Sequence, residues 1–122
     1  MQVCPAELNY AQYLAEFNRP RALKTAYIDD TRKLTYGELA ELSGRFAGLL
    51  KNLDIRREER ILLVMHDTVD WPVVFLGGLH AGVVPIAVNT LLTADDYAYM
   101  LEHSRAQAVF TSPGLLETVQ SA

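Results

Sequence analysis

The sequence predicts an α/β fold: a parallel sheet with flanking helices, preceded by a short helix and a β-hairpin. Two observations carry this. From Arg60 onward, short runs that are apolar throughout alternate with segments of helical periodicity, in the order strand, helix, strand, helix, strand, helix. An apolar run without polar alternation is the pattern of a strand buried on both faces of a parallel sheet. Crossovers of this length join parallel neighbours by right-handed connections, which makes the sheet Rossmann-like in the loose sense.

The first helix is predicted from Tyr10 to Phe17, with Tyr10, Tyr13, Leu14 and Phe17 on one apolar face. Asn18-Arg19-Pro20 ends it. Thr25 to Ile28 and Lys33 to Thr35 read as extended, and Asp29-Asp30-Thr31-Arg32 as the hairpin turn between them. Thr35 and Glu38 have the spacing of a reciprocal capping box. Behind them Leu39, Leu42, Phe46, Leu49, Leu50 and Leu53 recur at helical spacing as one stripe facing the core. A polar connection, Asp54 to Arg60, leads to a strand at Ile61 to Met65.

Thr68 or Asp70 caps the next helix, which runs to about Ala81. Pro72 lies in its first turn, where a missing amide costs little, and Gly82 suits a left-handed stop. Val83 to Val88 is the second buried strand. Thr93-Ala94-Asp95-Asp96 opens a helix to about His103, with Tyr97, Met100 and Leu101 facing inward. Ala106 to Thr111 is the third strand. Ser112-Pro113 starts a last helix, with Ser as cap and Pro at the first helical position.

The 122 residues suffice for one small domain with a core, and 50% hydrophobic with 21% charged is an ordinary globular mix. A net charge of −4 with no basic face argues against a nucleic-acid partner. Cys4 is the only cysteine, so no intrachain disulfide forms. The start, Met1 to Glu7, has no basic region followed by an apolar run, so no signal peptide is expected. The longest apolar stretch, Trp71 to Val88, is broken by Gly77, Gly78, His80, Gly82 and Pro85, so neither a membrane span nor a membrane partner is expected. A cytoplasmic location fits these features.

Ligands collect at the carboxyl ends of strands in open parallel sheets. Here those ends carry His66-Asp67-Thr68, Asn89-Thr90 and Thr111-Ser112. The Thr and Ser positions are also where helix caps belong, and capping is the expected role. His66 and Asp67 are sequence neighbours that point apart, with no second cluster at ligand spacing, so neither a metal site nor an acid–base pair is expected. His80 lies inside a helix, and His103 lies near a helix C-terminus, where a cation suits the dipole. Gly77, Gly78 and Gly82 fall within and after a helix rather than between a strand and a helix start. They are read as close packing, not as a nucleotide loop. Turn chemistry accounts for Asp29-Asp30.

Leu34-Thr35-Tyr36-Gly37-Glu38-Leu39 and, later, Leu79-His80-Ala81-Gly82-Val83-Val84-Pro85-Ile86-Ala87-Val88-Asn89 resemble, in this order, the first two sequence motifs of the adenylate-forming enzymes, the acyl-CoA and aryl-CoA ligases. The likeness runs from about Asn9 to Ser112. Through Thr25 to Asp30, Leu34 to Leu39, Glu59 to Met65, Ala81 to Leu92, Tyr99-Met100-Leu101 with His103-Ser104, and Ala106 to Val109 it is similar to the benzoate-CoA ligase branch. Many acyl-CoA synthetases carry proline where Thr90 follows Asn89.

The resemblance implies a partial N-terminal subdomain of an adenylate-forming enzyme, with residues 1–122 as the truncated opening part of the large N-terminal domain. It also implies ATP, magnesium and coenzyme A as cofactors of the full-length enzyme, none bound by this fragment, and a small aromatic carboxylic acid as substrate. The family's phosphate loop, adenine motif, ribose-binding aspartate, hinge and catalytic lysine lie downstream of both motifs. No residue here is therefore assigned a catalytic, cofactor-binding or metal-binding role, and the chain alone is expected to be inactive. The alternative is a self-sufficient α/β binding or interaction module. An unfinished strand–helix series also predicts self-association, most simply as a homodimer, through Val109, Phe110, Leu115, Leu116 and Val119.

Overall fold

The computed structural model describes residues 4–122; Met1 to Val3, where the leader reading begins, lie outside the described residues. The helices are α1 (Tyr10–Phe17), α2 (Tyr36–Asn52), α3 (Asp70–His80), α4 (Ala94–Ser104) and α5 (Leu116–Gln120). The strands are β1 (Thr25–Ile28), β2 (Lys33–Thr35), β3 (Arg60–Val64), β4 (Val84–Ala87) and β5 (Ala108–Thr111). β1 and β2 form an antiparallel hairpin. β4, β3 and β5 form a parallel sheet in that order, with Leu62 opposite Ile86 and Val109. The α/β reading holds, with the second and third parallel strands shorter than predicted.

Residues of β3 alternate between two cores because successive side chains of a strand point to opposite faces. Ile61, Leu63 and Met65 pack with Leu50, Ile55, Val74 and Val83 beneath α2 and α3. Leu62 and Val64 pack with Tyr97 on the other face, joined by Met100 and Leu101 from α4, Leu115 from the turn before α5 and Val119 from α5. Pro85 is tolerated in β4 because that strand lies at the sheet edge.

Two helices are rotated from the predicted faces. In α1 the buried residue is Ala11, while Tyr10, Tyr13 and Phe17 are exposed. In α2 the buried positions are Leu39, Ser43, Ala47 and Leu50, whereas Leu42, Leu49 and Leu53 are 38%, 45% and 53% exposed. The reason is close approach to α3. A Cβ on Gly77 would lie 2.7 Å from Phe46 Cδ1 and 2.9 Å from the Ser43 carbonyl, so small residues occupy the contact line and the leucines flank it. The packing role read for Gly77 is therefore correct. Gly82 has φ +77, and the Val83 and Gly82 amides donate to the Gly78 and Leu79 carbonyls, each at 3.0 Å, closing α3 as a Schellman stop.

The caps also differ in part. Thr35 Oγ1 accepts from the Glu38 amide at 3.2 Å, but no return bond from Glu38 completes the box. The reciprocal box stands at α4 instead. There Thr93 Oγ1 accepts from the Asp96 amide at 3.3 Å, and Asp96 Oδ2 accepts from the Thr93 amide at 3.0 Å. Ser112 makes no side-chain cap, and Pro113 to Leu115 form a 3-10 turn before α5. Of the residues predicted to mediate self-association, Val109, Leu115 and Val119 pack inward, Phe110 meets Phe46 edge-to-face at 4.8 Å, and Leu116 alone is 44% exposed.

Candidate functional site

The parallel sheet delivers the chain at the carboxyl ends of its strands, where the polar residues singled out above gather. Ser112 follows β5, and its Oγ accepts from the His66 amide at 2.9 Å, while its own amide donates to the Val64 carbonyl at 3.2 Å. These bonds tie the end of β5 to the end of β3, and they explain why Ser112 does not cap the next helix. His66 and Asp67 are exposed, and a Cβ on Gly114 would sit 3.8 Å from His66 Nε2. His66, Ser112 and Gly114 are thus brought together.

Asn89 and Thr90 stand apart from that group. Asn89 Oδ1 accepts from the Leu91 amide at 2.8 Å. The fully buried Tyr97 donates its hydroxyl to the Asn89 carbonyl at 2.8 Å and accepts from the Leu92 amide at 3.4 Å. The phenol of α4 therefore holds the loop after β4. Sequence reading placed Tyr97 in the core but missed this role, because an inward tyrosine and an inward phenylalanine give the same periodicity.

At the start of α3 the capping expectation fails: the cap position is Val69, which has no side-chain cap, and Asp70 is already the first helical residue. Thr68 Oγ1 accepts from the Asp70 amide at 3.3 Å as a local turn two residues on. A second acceptor comes from the hairpin: Asp29 Oδ2 takes the Val69 amide at 3.0 Å. Asp29 also serves its own turn, with Oδ1 accepting from the Thr31 and Arg32 amides at 2.9 and 2.7 Å. Those amides, led by that of Val69, lower its carboxyl pKa to about 2. Arg32 completes the junction with a bidentate pair to Asp70, Nη1–Oδ1 3.0 Å and Nη2–Oδ2 2.8 Å. Asp96 is lowered by the Thr93 amide and hydroxyl, and Glu59 by the Arg56 amide. Each of these shifts arises at a turn or a cap, so the perturbed carboxylates are structural.

Among the described residues no group of His, Cys, Asp or Glu is arranged to hold a metal ion. No helix among them is long and apolar enough to cross a membrane. The strand-end hydroxyls of Thr68, Thr111 and Ser112 bond backbone groups. The arrangement supports loops at the sheet's end; it does not set a nucleophile beside a base.

A family model described as AMP-binding enzyme matches residues 14–122. The chain is 46% identical over 102 residues to a 4-hydroxybenzoate–CoA/benzoate–CoA ligase of Rhodopseudomonas palustris, covering 84% of this chain and 19% of that protein. It is 45% identical over 97 residues to a benzoate–CoA ligase of Thauera aromatica, covering 79% and 18%. The crystal structure of a benzoate CoA ligase from Burkholderia xenovorans superposes with a TM-score of 0.93 at 57% identity, over 94% of this chain and 24% of that one. An anthranilate CoA ligase in complex with anthranoyl-AMP gives a TM-score of 0.92 at 29% identity, over 97% and 23%. The chain spans about a fifth of the length of the curated relatives it matches.

Proposed function

The chain belongs to the AMP-binding enzyme family, and from that premise we propose that it is the opening part of the large N-terminal domain of a cytoplasmic aromatic-acid CoA ligase of benzoate type. The observation that carries this is the agreement of 57% identity with a TM-score of 0.93 across 94% of the chain. A self-sufficient binding module finds no support, since each relative named above is a CoA ligase.

The activity of the whole protein is then the joining of a small aromatic carboxylic acid to coenzyme A through an acyl-adenylate, using ATP and magnesium. The residues of this chain do not fit those groups. The described residues offer no metal-ligand cluster, and the sequence has no Gly-rich anion cradle with an adjacent lysine. What the chain supplies is the sheet, its two packed faces and the loops that Tyr97 and Ser112 hold.

Self-association belongs to the same proposal. β5 is an open edge among the described strands, and Leu42 and Leu49, with Leu53 just past the helix end, form an apolar flank along α2, whose Phe46 meets Phe110 of β5.

Benzoate-dependent ATP–pyrophosphate exchange tests the reading. The complete gene product is expected to catalyse it, and the purified 122-residue chain is expected to give no more than a no-enzyme control. Exchange by the chain alone would overturn the placement of the chemistry outside it. A complete product inactive with every aromatic acid tried would overturn the ligase reading.

A further inference from the structure

A groove of about 540 Å³ lies between the C-terminal half of α2, the loop that follows it and the end of α3. Its floor is made of small residues: Gly44, Ala47 and Gly48 from α2, and Ala81 after α3. A Cβ on Gly44 or Gly48 would meet nothing within 4 Å, so no packing inside the chain asks for glycine there. Glycine is also the poorest residue of a helix interior after proline. The two glycines keep the groove open at some expense to α2.

Positive charge gathers over that floor. Lys51, Arg56 and Arg57 line the groove against one acid, Asp54, on a chain of net charge −4. Part of this has a local explanation. Lys51 lies in the last turn of α2 and His80 in that of α3, where cations suit the helix dipole. Arg56 is engaged by Glu59, with Nε to Oε1 at 3.3 Å. Arg57 has neither account. It stands in the loop, outside any helix, and like Lys51 it enters no ion pair among the described residues.

The loop that carries Arg57 is fixed on both sides. The Ile55 amide donates to the Leu50 carbonyl at 3.0 Å, and the Glu58 amide to the Gly82 carbonyl at 2.8 Å. The Arg57 stem rests against Gly82, where a Cβ would lie 3.1 Å from its Cγ. Two cations thus reach one groove from separate elements, and neither has a counter-ion of its own. A guanidinium takes phosphate oxygens in a planar fork, and an ammonium adds a compact point charge. We propose that this groove binds a multivalent anion of the phosphate class, held by Arg57 and Lys51 above the glycine floor.

Inorganic pyrophosphate is the probe, with binding followed by calorimetry on the purified chain at low ionic strength. Binding in the millimolar range or tighter is expected, weakening as salt rises, because the contacts are exposed and screened. Arg57→Gln and Lys51→Gln should each weaken it several-fold. Arg45→Gln removes an equal charge from α2 outside the groove and should leave it unchanged. Gly48→Leu should obstruct the floor without altering charge, and Gly44→Leu repeats that test if the first variant fails to fold. The proposal is overturned if pyrophosphate does not bind at millimolar concentration, if Arg45→Gln weakens binding as much as Arg57→Gln, or if binding survives in a folded leucine variant.

Discussion

Asp29, in the hairpin turn, accepts the amide proton of Val69 at 3.0 Å across a separation of 40 residues, joining the hairpin to the start of α3. The same carboxylate closes its own turn, and its side chain is only 9% exposed. One residue thus fixes both a local turn and the docking of two elements.

The pH dependence of stability follows from that junction. The Asp29 carboxyl titrates at about 2 in the folded chain, against 3.8 for the free group. A depressed folded pKa contributes stability in full above the unfolded value and loses it as the pH falls through the folded one. The contribution should therefore be complete above about pH 4 and fade toward pH 2. Asp29→Asn should flatten the acid limb of the stability curve in that window. Urea unfolding at stepped pH measures it, and parallel slopes for the two proteins would refute the assignment.

The rotation of α2 ranks its leucines. Leu50 is fully buried, so Leu50→Ala should cost on the order of 2–5 kcal/mol. Leu42→Ala removes a half-exposed side chain and should cost under about 1 kcal/mol. Thr35→Ala should lie between them, at about 1 kcal/mol, through the lost bond to the Glu38 amide. Thermal melts that place Leu42→Ala first would contradict the observed face.

Tyr97→Phe isolates a hydroxyl. It leaves the Asn89 carbonyl and the Leu92 amide without their shared partner. A loss of about 1–3 kcal/mol is expected. Hydrogen exchange at Leu92 should accelerate more than exchange in β3, whose amides lie within the sheet. Equal acceleration at both sites would mean that the hydroxyl acts on global stability alone.

Self-association of the isolated chain is expected in sedimentation equilibrium at micromolar concentration. Leu49→Asp should return the mass toward the 13.6 kDa of one chain, because Leu49 belongs to the apolar flank of α2. Leu116→Asp should change it little, since the neighbours Leu115 and Val119 pack inward. A wild-type chain that sediments as a monomer would end this proposal.

Much of the fold was written in the chain. An uninterrupted apolar run at Ile61 to Met65, a proline in the first turn of α3 and a glycine after it act within a few residues, so their meaning does not depend on the rest of the molecule. Gly82 and Thr93 behaved as such local signals. The motifs at Leu34 to Leu39 and Leu79 to Asn89 likewise placed the chain in its family, which the comparisons bear out.

Only the tertiary structure decided which flank of an apolar helix turns inward. Periodicity marks an arc wider than the contact line, and in α2 the position of Gly77 on α3 chose Ser43 and Ala47 over Leu42 and Leu49. It also decided which polar atoms meet. Asp29 with Val69, Ser112 with His66 and Tyr97 with Asn89 are pairings between elements, set by how the elements dock, and no local spacing encodes them.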